Sequence, residues 1–264
     1  MDTLLAPEEG AAVEARDGDG PFVVVCEHAS NRMPRALGSL GLQPADLQRH
    51  IAYDPGAAEL AAMLAASTGS ALVTQRFSRL VIDCNRDPGA VDAIPTRSET
   101  TDIPGNIGLT AEQKASRIAA LWTPFHAALE RILDQRRLRR AATALVTIHS
   151  FTPVYRGISR PWHAGIISTA ERAFSDRVLA ALRRDTALVV GDNQPYSAKD
   201  NVDYTIRRHG RDRGLPHVMV EVRNDLLANS AMIAAWAERL LAALRGSAAT
   251  PGLVSADAAA AIQG

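Results

Sequence analysis

Phe22-Val23-Val24-Val25-Cys26 leads directly into Glu27-His28-Ala29-Ser30-Asn31. Five apolar residues in a row, three of them valine, do not alternate with polar ones. That is the pattern of a strand buried on both faces, and such strands occur mainly in parallel sheets. Short runs of the same kind recur at 71–74 (ALVT), 79–83 (RLVID), 144–148 (ALVTI), 164–168 (AGIIS), 187–190 (ALVV) and 217–222 (HVMVEV). Helical patterns lie between them. Residues 56–67 carry apolar positions at helical spacing. Thr110 and Gln113 form a capping box, with Pro124 a kink further on. Ser168 and Glu171 repeat the box before 171–184, and Asn229 caps a helix that Gly246 closes. Strands alternating with helices predict an α/β fold: one domain over 21–246, with a mixed, mostly parallel sheet and helices on both faces. Residues 1–20 read as a flexible arm and 247–264 as a weakly ordered tail.

Composition excludes several classes of function. Lys plus Arg and Asp plus Glu are 29 each in 264 residues, so the formal net charge is zero. A nucleic-acid binder needs a basic excess, so no nucleic acid is expected. No apolar run has membrane-spanning length, and the polar start shows no secretory signal. With two cysteines, Cys26 and Cys84, a reducing cytoplasm is the expected setting. Only Lys114 and Lys199 are lysines. Against an arginine-rich background, the cluster Arg136, Arg137, Arg139 and Arg140 therefore reads as a solvated helix end.

Ligands in open α/β sheets bind beyond the carboxyl ends of strands. After 22–26 come Glu27 and His28. After 79–83 come Asp83, Cys84, Asn85 and Arg86, and after 144–148 comes His149. Glu221 lies inside the last apolar run. Two histidines and a carboxylate beside a free glutamate suit a mononuclear metal hydrolase, with zinc the fitting ion. Burying an unpaired carboxylate costs several kcal/mol, so Glu221 needs a cation, a polarised water or a raised pKa. A buried ion pair with Arg223 would also satisfy it. Asp83 is expected to orient Asn85 and Arg86 or to hold a neighbouring loop.

The ordered series VCEHASNRMP, HIAYDPGA, FSRLVIDCNRDP, TIHSF, RPWHAGII and PHVMVEVRNDL resembles the N-formylglutamate amidohydrolase family, from about residue 21 to 245. That family is similar in turn to zinc carboxypeptidases and the aspartoacylase group. The resemblance implies a zinc-carboxypeptidase-like fold and a metal held by His28, His149 and a carboxylate. It makes Glu221 the catalytic base, and Asn85 and Arg86 the grip on a substrate carboxylate. Those relatives place a Glu three residues after the first histidine; here that position is Asn31. The family's own pattern offers Asp54 instead. Asp54 is chosen over Asn31 and Glu27, with capping of the 56–67 helix as its competing role. N-formyl-L-glutamate, hydrolysed to formate and L-glutamate, is the best candidate substrate. Its second carboxylate calls for another cation, with Arg79, Arg160 and Arg223 as candidates.

Other readings use the same residues. One keeps the machinery for a different N-acyl amino acid. Another is a metal- or carboxylate-binding protein without turnover. A third is a hydrolase with Cys84 as nucleophile. The polar segment 192–210, with Tyr204 and His209, reads as a wall of the substrate pocket, and the irregular stretch 87–108 as a functional or mobile loop.

Overall fold

Alternation across the Phe22–Cys26 strand sets the layers. Phe22, Val24 and Cys26 pack into one buried cluster, and Val23 and Val25 into another on the opposite face. The computed structural model describes residues 4–196 and 203–248. Among them, β1 (Val13–Arg16), β2 (Phe22–Cys26), β3 (Ala71–Gln75), β4 (Ala144–Phe151), β5 (Ala164–Ile167), β6 (Val190–Asp192) and β7 (His217–Arg223) form one sheet in the order β1-β3-β2-β4-β7-β5-β6. β2 is parallel to β3 and β4, and β4 to β7, while β1 and β5 run antiparallel to β3 and β7. Helices α1 (Ala57–Thr68), α4 (Ala173–Leu182) and α5 (Ser230–Ala248) supply the first cluster with residues such as Leu60, Phe174 and Leu240. Helix α2 (Ala111–Arg117) leads through a π-helical turn at Ile118–Trp122 into α3 (Thr123–Leu138). α3 covers the other face with Phe125, Leu129 and Ile132. No described helix is long and apolar enough to cross a membrane.

The expected architecture stands, with local corrections. Residues 13–16, read as part of a loose arm, are an edge strand, and Glu9 ties the preceding turn to the backbone N–H of Arg35. The strand's mostly exposed residues carry no apolar run that would have revealed it. The run 79–83 is not a strand. Leu80 is buried with Leu40 and Ile103, while Val81 and Ile82 join Phe77 and Leu121, so burial in several directions replaces strand pairing. At 187–190 only Val190 enters β6. α4 starts at Ala173, whose N–H donates to Glu171; no box with Ser168 forms. Gly246 lies inside α5 rather than closing it. Arg136 is buried, not solvated: its guanidinium donates to the carbonyls of Gly18, Gly20 and Ala142. The Thr110–Gln113 box and the Asn229 cap form as expected. Residues 249–264 of the expected tail lie outside the described residues.

Candidate active site

The strand order reverses between β2 and β4. Their carboxyl ends therefore open onto one crevice at the switch point, where ligands bind in this class of sheet. His28 enters from the end of β2 and His149 from β4. Asp54 arrives on a loop fastened by its own N–H to the His28 carbonyl, 2.9 Å away. Gly56 makes that approach possible. Its φ is 78°, and a Cβ there would lie 2.4 Å from Leu227 Cβ. Gly56 stands at the N-cap of α1, and no side chain caps that helix, so the competing capping role of Asp54 is not observed.

His28 Nδ1 and His149 Nδ1 lie 3.2 and 2.9 Å from Asp54 Oδ2, and 3.2 Å from each other. The far nitrogens also meet carboxylates: His28 Nε2 lies 2.8 Å from Asp83 Oδ1, and His149 Nε2 lies 3.1 Å from Glu27 Oε2. All five side chains are buried. With the outer nitrogens bearing the protons, the two Nδ1 lone pairs and the Asp54 oxygen would point at one another. Only a shared proton or a cation relieves that repulsion. One ligand atom from each of His28, Asp54 and His149 falls within 4.8 Å of the other two. Two imidazoles and one carboxylate, with room for a further ligand, are the donor set of a catalytic zinc site. The residues fit a divalent metal.

Charge around the cluster is tightly coupled. Burial would raise the Asp54 carboxyl, but His28 and His149 hold it well below its usual range. Burial likewise opposes Asp83, and Arg79 together with His28 brings it far down. Burial disfavours a charged His149, yet Glu27 and Asp54 push it well above the ordinary histidine value. Glu221 goes the other way. Desolvation, helped by nearby Asp54, pushes it up to about 7 against the pull of His149, His28 and Arg79. It pairs across the sheet with His149, and its Oε2 is buried without a hydrogen-bond partner in the structure. A glutamate so placed is suited to accept and return a proton near neutral pH.

A cavity of about 340 Å³ covers the cluster. Its lining includes Arg79, Asn85 and Arg86, together with Asp92 and Glu99 from the 87–108 stretch. Arg79 does not stand free for a ligand, because its two terminal nitrogens engage Asp54 and Asp83. Asp83 accepts from the Asn85 N–H, as expected, and also holds His28, a role that nothing local in the sequence announces. Arg86 donates to Asp92 and to the Asn85 carbonyl. Arg223 pairs with Asp225 and does not line the cavity. Arg160 is buried over the rings of Tyr155 and Tyr196. Asn31 turns away and donates to the Leu47 carbonyl. Tyr204 and His209 pack around His126 rather than forming the pocket wall. Tyr196, from the same polar segment, does line it. Burial raises the Cys84 thiol, and its neighbour Gln75 donates to the sulfur, which is the setting of an inert core cysteine. His50 and the adjacent pair Tyr155 and Arg156 of a short hairpin also line the cavity, and sequence reading missed them because they follow none of the apolar runs of the main sheet.

The model of the N-formylglutamate amidohydrolase family matches residues 20–228, and the chain belongs to that family. Membership identifies it as an amidohydrolase. A gene product of Agrobacterium tumefaciens, known from its crystal structure, is 40% identical. The match covers 92% of this chain and 97% of that one, with a TM-score of 0.90. The N-formylglutamate amidohydrolase of Ralstonia eutropha is 19% identical over 90% of this chain and 97% of its own. Its TM-score of 0.63 shows a common fold. None of the curated proteins is significantly similar in sequence.

Proposed function

We propose that the chain is a metal-dependent hydrolase of a small N-acyl amino acid, with N-formyl-L-glutamate as its best candidate substrate. The observation that carries this reading is the convergence of His28 Nδ1, His149 Nδ1 and Asp54 beside a buried Glu221 whose Oε2 has no hydrogen-bond partner in the structure. A divalent ion, zinc by preference, supplies Lewis acidity there, easing water deprotonation and stabilising charge on the scissile carbonyl oxygen. His28, His149 and Asp54 would hold it. Arg86, steadied through the Asn85 carbonyl, binds a substrate carboxylate, and Arg156 at the cavity wall supplies a second cation. Glu221 accepts a proton from the attacking water at Oε2 and returns it to the leaving nitrogen as the C–N bond breaks. One water is consumed, and formate and L-glutamate are released. The cavity suits a ligand of this size.

A protein that only binds a metal or a carboxylate has no use for a buried base whose Oε2 lacks a hydrogen-bond partner. The decisive experiment measures formate or acyl release from a panel of N-formyl and N-acetyl amino acids, with zinc supplied and after chelation. N-formyl-L-glutamate should be the best substrate, and chelation should abolish its turnover. Full activity in a verified metal-free preparation would refute metal dependence. Preference for another N-acyl amino acid would move the substrate while keeping the machinery.

A further inference from the structure

Glu27 is completely buried at the end of β2, next to His28 in sequence. Its carboxylate lies behind His149 rather than among the converging donors. Oε2 is 3.1 Å from His149 Nε2, whereas the converging atom of that ring is Nδ1. Both Glu27 oxygens and His149 Nε2 lack any well-aligned hydrogen-bond partner in the structure. A buried donor and a buried acceptor thus stand within reach of one another, with the Thr205 side chain also close to Glu27. His28 already shows the same arrangement in better alignment, with Nε2 against Asp83 and Nδ1 toward Asp54. An imidazole whose outer N–H is claimed by a carboxylate presents its other nitrogen as a lone pair.

We propose that Glu27 is a positioning residue for His149: it accepts the Nε2–H and fixes the ring orientation, so that Nδ1 is the nitrogen turned toward His28 and Asp54. The lone pair on Nδ1 and the consequence for metal affinity rest on the metal reading given above; the Nε2–H bond to Glu27 does not. Glu27 is then neither a ligand nor a base. It completes a line of carboxylate, imidazole, imidazole and carboxylate, from Glu27 through His149 and His28 to Asp83.

Two measurements on the full chain test this. The first is a two-bond proton–nitrogen spectrum of the imidazoles in 15N-labelled protein, with and without Zn2+. His149 should carry a proton on Nε2 in both, and an unprotonated Nε2 would overturn the proposal. The second is Zn2+ affinity, by competition with a chromophoric chelator, for wild type, Glu27→Gln, Glu27→Asp and Asp54→Asn. Glu27→Gln should bind Zn2+ about 10–100-fold more weakly with an unchanged circular dichroism spectrum. Glu27→Asp, which keeps the carboxylate, should recover part of the loss. Wild-type affinity with an unaltered His149 signal in Glu27→Gln would overturn the proposal, and so would a loss equal to that of Asp54→Asn, which would make Glu27 a ligand. If Glu27→Gln does not fold, the wild-type spectrum decides alone. If wild type takes up no Zn2+, the metal reading fails, and the Nε2 proton of the zinc-free protein still judges Glu27.

Discussion

His28 and His149 face each other Nδ1 to Nδ1 at 3.2 Å, with Asp54 Oδ2 close to both. Two imidazole nitrogens at that distance need a proton or a cation between them and the carboxylate. The purified protein is therefore expected to carry about one divalent ion per chain, as a single catalytic site requires. Asp54→Asn should weaken Zn2+ binding by more than about 100-fold, beyond the loss typical of an outer partner. Helix α1 should survive, because Gly56 rather than Asp54 holds its N-cap position. Metal titration alongside circular dichroism checks both outcomes.

Glu221→Gln should keep fold and metal and lose turnover by roughly two to four orders of magnitude, the usual worth of a positioned proton carrier. The carboxyl also leaves a mark on stability. Its folded pKa is raised from 4.5 to about 7, so between those values the folded state holds a proton that the unfolded state has released. Stability from this group is intact at low pH and is lost as pH rises through about 7. Glutamine does not titrate. In chelator, the variant should therefore melt above wild type at about pH 8, and the two should converge below the ordinary carboxyl value. Parallel melting curves across pH test this.

Arg86→Ala should cost substrate capture more than stability. A charge-assisted pair with a carboxylate is worth roughly 1.5–3 kcal/mol, so kcat/KM should fall by about 10–150-fold for N-formyl-L-glutamate. Against an analogue amidated at the bound carboxylate, the variant should show no further loss. A preserved preference for the free carboxylate would assign its recognition to Arg156 instead.

Gly56→Ala should destabilise the chain by more than the 1–2 kcal/mol of a left-handed residue alone, because the added Cβ also meets Leu227 at 2.4 Å. The same change pushes on the turn that carries Asp54. Zn2+ affinity should fall with the melting temperature, although residue 56 bears no ligand atom.

Cys26 and Cys84 are both buried, with thiols raised by desolvation. Treatment of the native protein with a thiol-alkylating reagent should leave turnover intact and modify neither residue until the protein unfolds. Stoichiometric inactivation by one alkylation would restore Cys84 as a nucleophile.

Much of this was legible in the chain itself. Unbroken β-branched runs at 22–26, 144–148 and 217–222 can be satisfied only inside a sheet covered on both faces, and they became its central strands. Because strand ends in open α/β sheets face the ligand crevice, His28, His149 and Glu221 could be shortlisted from their places at strand ends, with the cost of a buried carboxylate and the family resemblance adding their roles. The run at 79–83 misled for the same reason that the others did not. Apolar residues report burial, and burial does not require strand pairing. Tertiary structure shows where the three candidate ligands lie. Asp54 meets His149 across 95 positions, Asn31 donates to Leu47, and Glu27 passes behind the imidazole. It likewise drew Arg79 onto two carboxylates and left Arg223 outside the cavity. Local periodicity records which face of an element a residue occupies. Whether two polar groups from distant loops come within 3 Å is set by turns such as that at Gly56, and by the need of each buried charge for a partner.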